Sequence, residues 1–86
     1  MGPNLKGVHM AEQSYPPGAR VNSEWMMSNG FIGGIVLSGA LELHLEGVQY
    51  SLNAGDGFNF SLNREHTFIN NGDGICRVVS VSFGDG

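Results

Sequence analysis

Leu41, Leu43 and Leu45 alternate with Glu42, His44 and Glu46, the period of two that marks a strand with one face in a core and the other in water. After the Glu46-Gly47 turn signal, Val48, Tyr50 and Leu52 repeat the alternation, which predicts an antiparallel hairpin. Further strands are predicted at Gly33 to Leu37, Gly57 to Phe60, His66 to Asn70 and Arg77 to Phe83. In the last of these, Arg77, Val79, Val81 and Phe83 share one face and Val78, Ser80 and Ser82 the other, a distribution that predicts burial on both sides for part of its length. No segment sustains an apolar repeat of 3.6 residues, and no internal repeat emerges. Pro16-Pro17-Gly18, Ser28-Asn29-Gly30, Ser38-Gly39, Asn53 to Gly57 and Asn70 to Gly74 punctuate the apolar runs. Short strands at this spacing predict an all-β antiparallel sandwich or barrel.

Composition narrows the picture. Eighty-six residues make one domain near the lower limit for a self-sufficient core, so a second subunit has reason to contribute stability. Met1 to His9 show no periodicity and are read as a flexible lead-in without function, with the single domain running from residue 10 to 86. Net charge is −4, and Lys6, Arg20, Arg64 and Arg77 are scattered along the chain, which argues against direct nucleic-acid contact. The one cysteine, Cys76, cannot close an internal disulfide, and a cytoplasmic setting is expected. No apolar run approaches the roughly 20 residues that span a bilayer, and the N-terminus lacks signal-peptide character, so the chain is expected to be soluble and free of membrane contact.

Gly55, Ser61, Asn63, His66 and Asn70 fall on a spacing that resembles the second sequence motif of the cupins: Gly, five residues, Pro, one residue, Gly, two residues, His, three residues, Asn. Ser61 and Asn63 replace the usual Pro and Gly. Tyr15-Pro16-Pro17-Gly18-Ala19 is similar to the opening of the first cupin motif, and Val36 to Leu43 to its close. The resemblance covers most of the chain and is strongest to small cupin domains attached to helix-turn-helix transcriptional regulators. It implies a cupin-type antiparallel β-barrel, or jelly roll. Metal-binding cupins carry two histidines and a carboxylate in the first motif. Here counting on from Gly18 puts Glu24 and Met26 at the histidine positions, and counting back from Gly39 puts Ile32 at the carboxylate. No histidine lies between Met10 and Ala40, so no small shift restores the pair, and the resemblance implies a degenerate metal site.

The same resemblance points His66 into the barrel, where an imidazole can donate, accept or ligate; a histidine bonded within the protein is the structural alternative. Met26, Ile32, Val36, Phe60 and Phe68 would share the interior, leaving His66 and Glu24 as its few polar points. That set suits capture of a small organic ligand, or else these side chains simply fill the barrel. For Glu24 a solvated carboxylate at a strand end is the preferred reading over a ligand contact. If a metal binds, His66 and Glu24 are its candidate ligands, although catalytic metals usually take three or more protein groups. Trp25 and Met27 would face away from the interior, where a homodimer contact or a plain cover for the sheet would use them. His44 between Glu42 and Glu46 reads as a solvated face, and Cys76 as a small packing residue. The Gly-rich turns open no helix and are not phosphate loops.

The expected function is therefore a non-enzymatic, effector-sensing cupin module with no cofactor, of the kind fused to transcription regulators, forming a homodimer. The alternatives are a divalent transition-metal cupin enzyme of dioxygenase, isomerase or lyase type, and a structural or oligomerising barrel.

Overall fold

The structure, a computed structural model, describes residues 8–22 and 30–84. They form eight strands: β1 (Val8–Tyr15), β2 (Arg20–Asn22), β3 (Gly30–Ser38), β4 (Ala40–Leu45), β5 (Val48–Asn53), β6 (Gly57–Ser61), β7 (His66–Ile69) and β8 (Cys76–Gly84). Two four-stranded antiparallel sheets result, ordered β1-β8-β3-β6 (sheet I) and β2-β7-β4-β5 (sheet II). This is the all-β antiparallel arrangement that the turn spacing predicts and the jelly roll that the cupin resemblance implies. None of the described residues forms a helix long and apolar enough to cross a membrane.

Sheet II follows the alternation closely. Leu41, Leu43 and Leu45 are buried, and they oppose Leu52, Tyr50 and Val48 across the β4–β5 hairpin. Glu46 and Gly47 close that hairpin with φ of 49° and 84°, the positive pair of a two-residue turn whose twist matches its strands. On the other side of β4, Phe68 opposes Leu43 and His66 opposes Leu45, so β7 continues the same inner face.

Sheet I departs from the sequence reading in two ways. Its edge strand β1 has no predicted counterpart and begins within the stretch read as lead-in. Its alternate positions His9, Ala11, Gln13 and Tyr15 carry little apolar signal, and the strand is held by continuous pairing with β8 from Val8↔Phe83 to Tyr15↔Cys76. In β8 itself, Cys76 and Val78 are buried, whereas Val79 and Val81 are only half-buried and Phe83 is exposed. The outer side of β8 thus carries the larger apolar side chains without the cover that two-sided burial required. The short β2 was also unmarked in sequence and pairs with β7 through Val21↔Phe68.

Two residues show why the motif positions hold this fold. Gly39 joins β3 to β4 with φ of 81°, and a Cβ there would lie 2.7 Å from the Ile75 carbonyl oxygen, so both conformation and space require glycine. Asn70 is fully buried. Its Nδ2 donates to the carbonyls of Tyr15 (2.7 Å) and Gly74 (2.9 Å), and its Oδ1 accepts from the Gly72 N–H (2.8 Å). Its backbone N–H donates to Ala19 O, and its carbonyl accepts from Gly18 N–H. One side chain therefore fastens the end of β1 in sheet I to the turn that follows β7 in sheet II.

Candidate functional site

Between the sheets the structure leaves two spaces. One, of about 600 Å³, is a cleft open to solvent between the edge strands β5 and β6, with Leu43, Leu45 and Leu52 on one wall, Phe58 and Phe60 on the other, and Arg64 among its lining residues. Arg64 is committed in part, its Nε donating to Glu46 Oε1 at 2.7 Å. The second space, about 200 Å³ and more enclosed, lies between β1, β8 and β3 of sheet I and β2 and β7 of sheet II. Its apolar wall includes Val21, Ile32, Phe58, Phe68 and Val78. Its polar wall is made by His9, Gln13, Tyr15, Ser80 and Ser82.

Phe58 lines both spaces, with its ring 5.3 Å from Phe68 and 6.2 Å from Phe60, so it stands as the partition. Gly34 makes that placement possible. A Cβ at residue 34 would meet Phe58 Cζ and the Val79 carbonyl oxygen, each at 2.6 Å, closer than real Cβ atoms come.

His66 packs into this aromatic cluster, its ring 4.8 Å from Phe60 and 6.0 Å from Phe68. It is 1% exposed. Its Nδ1 lies 2.8 Å from the Arg64 carbonyl oxygen. A carbonyl only accepts, so Nδ1 carries a hydrogen, and in the neutral ring Nε2 holds a lone pair. That Nε2 is buried and has no hydrogen-bond partner among the described residues. An orphaned polar atom in a core costs stability unless something satisfies it.

Of the residues singled out from sequence, Ile32 and Phe68 come together on the enclosed cavity, and Phe60 faces the cleft. Val36 is buried in the core and, like His66, lines neither space. Glu24 and Met26, with Trp25 and Met27, lie outside the described residues. The polar wall of the cavity was missed: His9 and Gln13 sit in a stretch without periodicity, while Ser80 and Ser82 were legible as one face of β8 but not as its inner face. The hydroxyl of Tyr15 donates to Gln13 Oε1 at 2.6 Å, which occupies the acceptor end of that amide and leaves its NH2 end to donate.

A metal finds little to hold it among the described residues. No group of three or more His, Cys, Asp or Glu side chains gathers there, and the rings nearest His66 are those of phenylalanines. On the outer face of sheet II, His44 Nε2 and Glu42 Oε1 are 3.0 Å apart. The hydrogen bonds from His44 and then from Asn71 hold the Glu42 carboxyl below the usual range. Cys76 is buried, and burial pushes its thiol pKa up, which disfavours the reactive thiolate.

Comparison with known proteins agrees with the geometry. The chain is 34% identical over 89 residues to the HTH-type transcriptional regulator PuuR of Escherichia coli and, equally, to that of Shigella flexneri. The aligned region takes in 93% of this chain and 48% of the relative, so the chain spans about half the length of the curated relatives it matches. Among solved structures, the Cupin_2 domain of an XRE family transcriptional regulator from Enterobacter cloacae superposes with a TM-score of 0.84 at 20% identity, covering 93% of this chain and 84% of that one. The cupin domain of Schizosaccharomyces pombe Cnp3 superposes at 0.81 with 13% identity, covering 99% and 58%. At such identities these structures speak for the fold alone. The profile of the Cupin_2 family, described as the cupin domain, matches residues 11–82, most of both sheets, and the chain belongs to that family.

Proposed function

We propose that this cupin domain is a non-enzymatic, small-molecule-sensing module of a helix-turn-helix transcriptional regulator, working in the cytoplasm, with DNA contact made by a separate region of the regulator. The observation that carries the reading is the partly enclosed cavity, in which Gln13, Ser80 and Ser82 stand with an apolar wall of Ile32, Phe58 and Phe68. Few convergent polar groups against an apolar lining is the usual make-up of a ligand site. At about 200 Å³ it is smaller than the roughly 300–1,000 Å³ of drug-sized sites, which suits a metabolite of few atoms. His66, packed against Phe60 with its Nε2 unpartnered among the described residues, and Glu24 are the further polar candidates of this reading. The similarity to PuuR over half of that regulator's length supports the link to transcription.

A thermal-shift screen against small metabolites tests this. Saturable stabilisation is expected, on the order of 10 °C at a hundredfold excess over Kd for a domain of this size. It should be lost in Ser80→Leu, which fills the cavity and removes a hydroxyl. A melting temperature that stays flat across the screen would overturn the sensor reading.

The orphaned Nε2 of His66 favours one second reading, a metal-dependent cupin in which His66 and Glu24 are ligands. Mass spectrometry after incubation with manganese, iron, nickel or zinc distinguishes the two. Near-stoichiometric metal that disappears in His66→Ala favours the second reading.

A further inference from the structure

We propose that the cleft between β5 and β6 is a second ligand site, separate from the cavity, and that it takes a carboxylic acid with an apolar body. β5 and β6 are the last strands of their sheets, so no ladder joins them and the inner faces part along this side. Turns close the gap at both ends. At one end the chain passes directly from β5 to β6 through residues 54–56. At the other, the Glu46 N–H donates to the Glu65 carbonyl (2.9 Å) and Arg64 Nε to Glu46 Oε1 (2.7 Å), which fastens the β4–β5 turn to the β6–β7 turn. The result is a trough of about 600 Å³, within the roughly 300–1,000 Å³ of small-molecule sites.

The lining sorts by depth. Leu43, Leu45 and Phe60 are buried and make the floor, whereas Tyr50 and Asn59 are exposed and Arg64 half-buried at the rim. Among the described residues that line the cleft, Arg64 is the one charged at neutral pH. Glu46 engages its Nε, and the two terminal nitrogens make no hydrogen bond among the described residues. Their fork matches the two oxygens of a carboxylate. An ammonium would meet a guanidinium and no carboxylate in this lining, and a neutral apolar molecule would leave the guanidinium unused. An acid whose carboxylate sits at Arg64 and whose hydrocarbon lies over Leu43, Leu45 and Phe60 satisfies both ends of the trough. Phe58 separates this site from the cavity, so the inference is independent of what the cavity binds.

Isothermal titration calorimetry of the full chain with decanoate tests it. Saturable one-to-one binding is expected, weaker by about tenfold or more for decanol, for decylamine and in Arg64→Gln, the scale of a hydrogen-bonded charge pair. Glu46→Gln is expected to bind at least as tightly as the parent, since it removes the carboxylate that competes for the guanidinium. Ser80→Leu, which fills the cavity, is expected to leave decanoate binding unchanged, and melting curves establish that each variant is folded. The assignment is overturned if millimolar decanoate shows no saturable binding, or if decanol or decylamine binds as well as the acid. Equal weakening in Arg64→Gln and Glu46→Gln also overturns it, because that is the result of a merely structural ion pair. So does loss of binding in Ser80→Leu, which would move the acid to the cavity.

Discussion

The two sheets solve the same packing problem with opposite polarity. Sheet II is apolar inside and polar outside: Leu41, Leu43, Leu45 and Phe68 face the core, while Glu42, His44 and Thr67 face water. Sheet I mixes the two. Its inner face gives Gln13, Ser80 and Ser82 to a cavity, and its outer face shows Met10, Phe31 and Phe83 to solvent. Sheet II is complete as a folded object. Sheet I has polar groups facing inward and apolar groups facing outward.

The tie between the sheets should be the most sensitive point. Asn70→Leu removes three side-chain hydrogen bonds and strands the carbonyls of Tyr15 and Gly74, so a loss of about 3–5 kcal/mol is expected in urea unfolding. Asn70→Asp should cost nearly as much, because a carboxylate cannot donate to those carbonyls.

Next comes the contrast itself. Leu43→Ala in sheet II is expected to cost about 2–5 kcal/mol, as for other buried leucines. Ser80→Val, at an inner position of sheet I, should fall within about 1 kcal/mol of the parent, since it replaces a cavity-lining hydroxyl with two methyl groups that the cavity has room for. Equal losses at the two positions would dissolve the distinction between the sheets. Gly34→Ala lies between these extremes at about 1–3 kcal/mol, the usual cost of overpacking, because its Cβ collides with the Val79 carbonyl and the Phe58 ring.

Titration gives the smallest expected effects, and in opposite directions for the two sheets. Glu42, on the outer face of sheet II, has its pKa lowered by His44 and then Asn71. Its contribution is present above the unfolded carboxyl pKa and disappears as pH falls through the folded value. Tyr15 and Cys76, on the inner face of sheet I, have theirs raised, chiefly by burial and, for Tyr15, secondarily by the charge of Cys76. Their contribution is full at neutral pH and lost as pH rises past roughly 8.5–10, where the free thiol and phenol ionise. Melting temperature against pH should show Glu42→Gln flattening the acid limb only, and Cys76→Ala the alkaline limb only.

The legibility of each strand follows the same division. β4 and β5 declare themselves because one face meets a core and the other meets water, and alternation is the trace of that contrast. β1 leaves no such trace, since His9, Gln13 and Tyr15 line a cavity and its hydrogen bonds come from β8. His66 and Asn70 stand out through motif spacing, yet spacing does not distinguish a residue that fastens turns from one that waits for a ligand. The hydrogen bonds distinguish the two: Asn70 is satisfied, whereas His66 Nε2 has no partner among the described residues.

By itself, the order of apolar, polar and turn residues determined that the chain is all-β and where most strands lie, because these are local properties of a pleated backbone; the cupin motifs entered through resemblance to a known family. Which side of β8 faces inward was decided only in three dimensions. Both sides of that strand carry residues compatible with a core, so its neighbours β1 and β3 and the opposing sheet select the face, and with it the cavity and the exposed apolar surface.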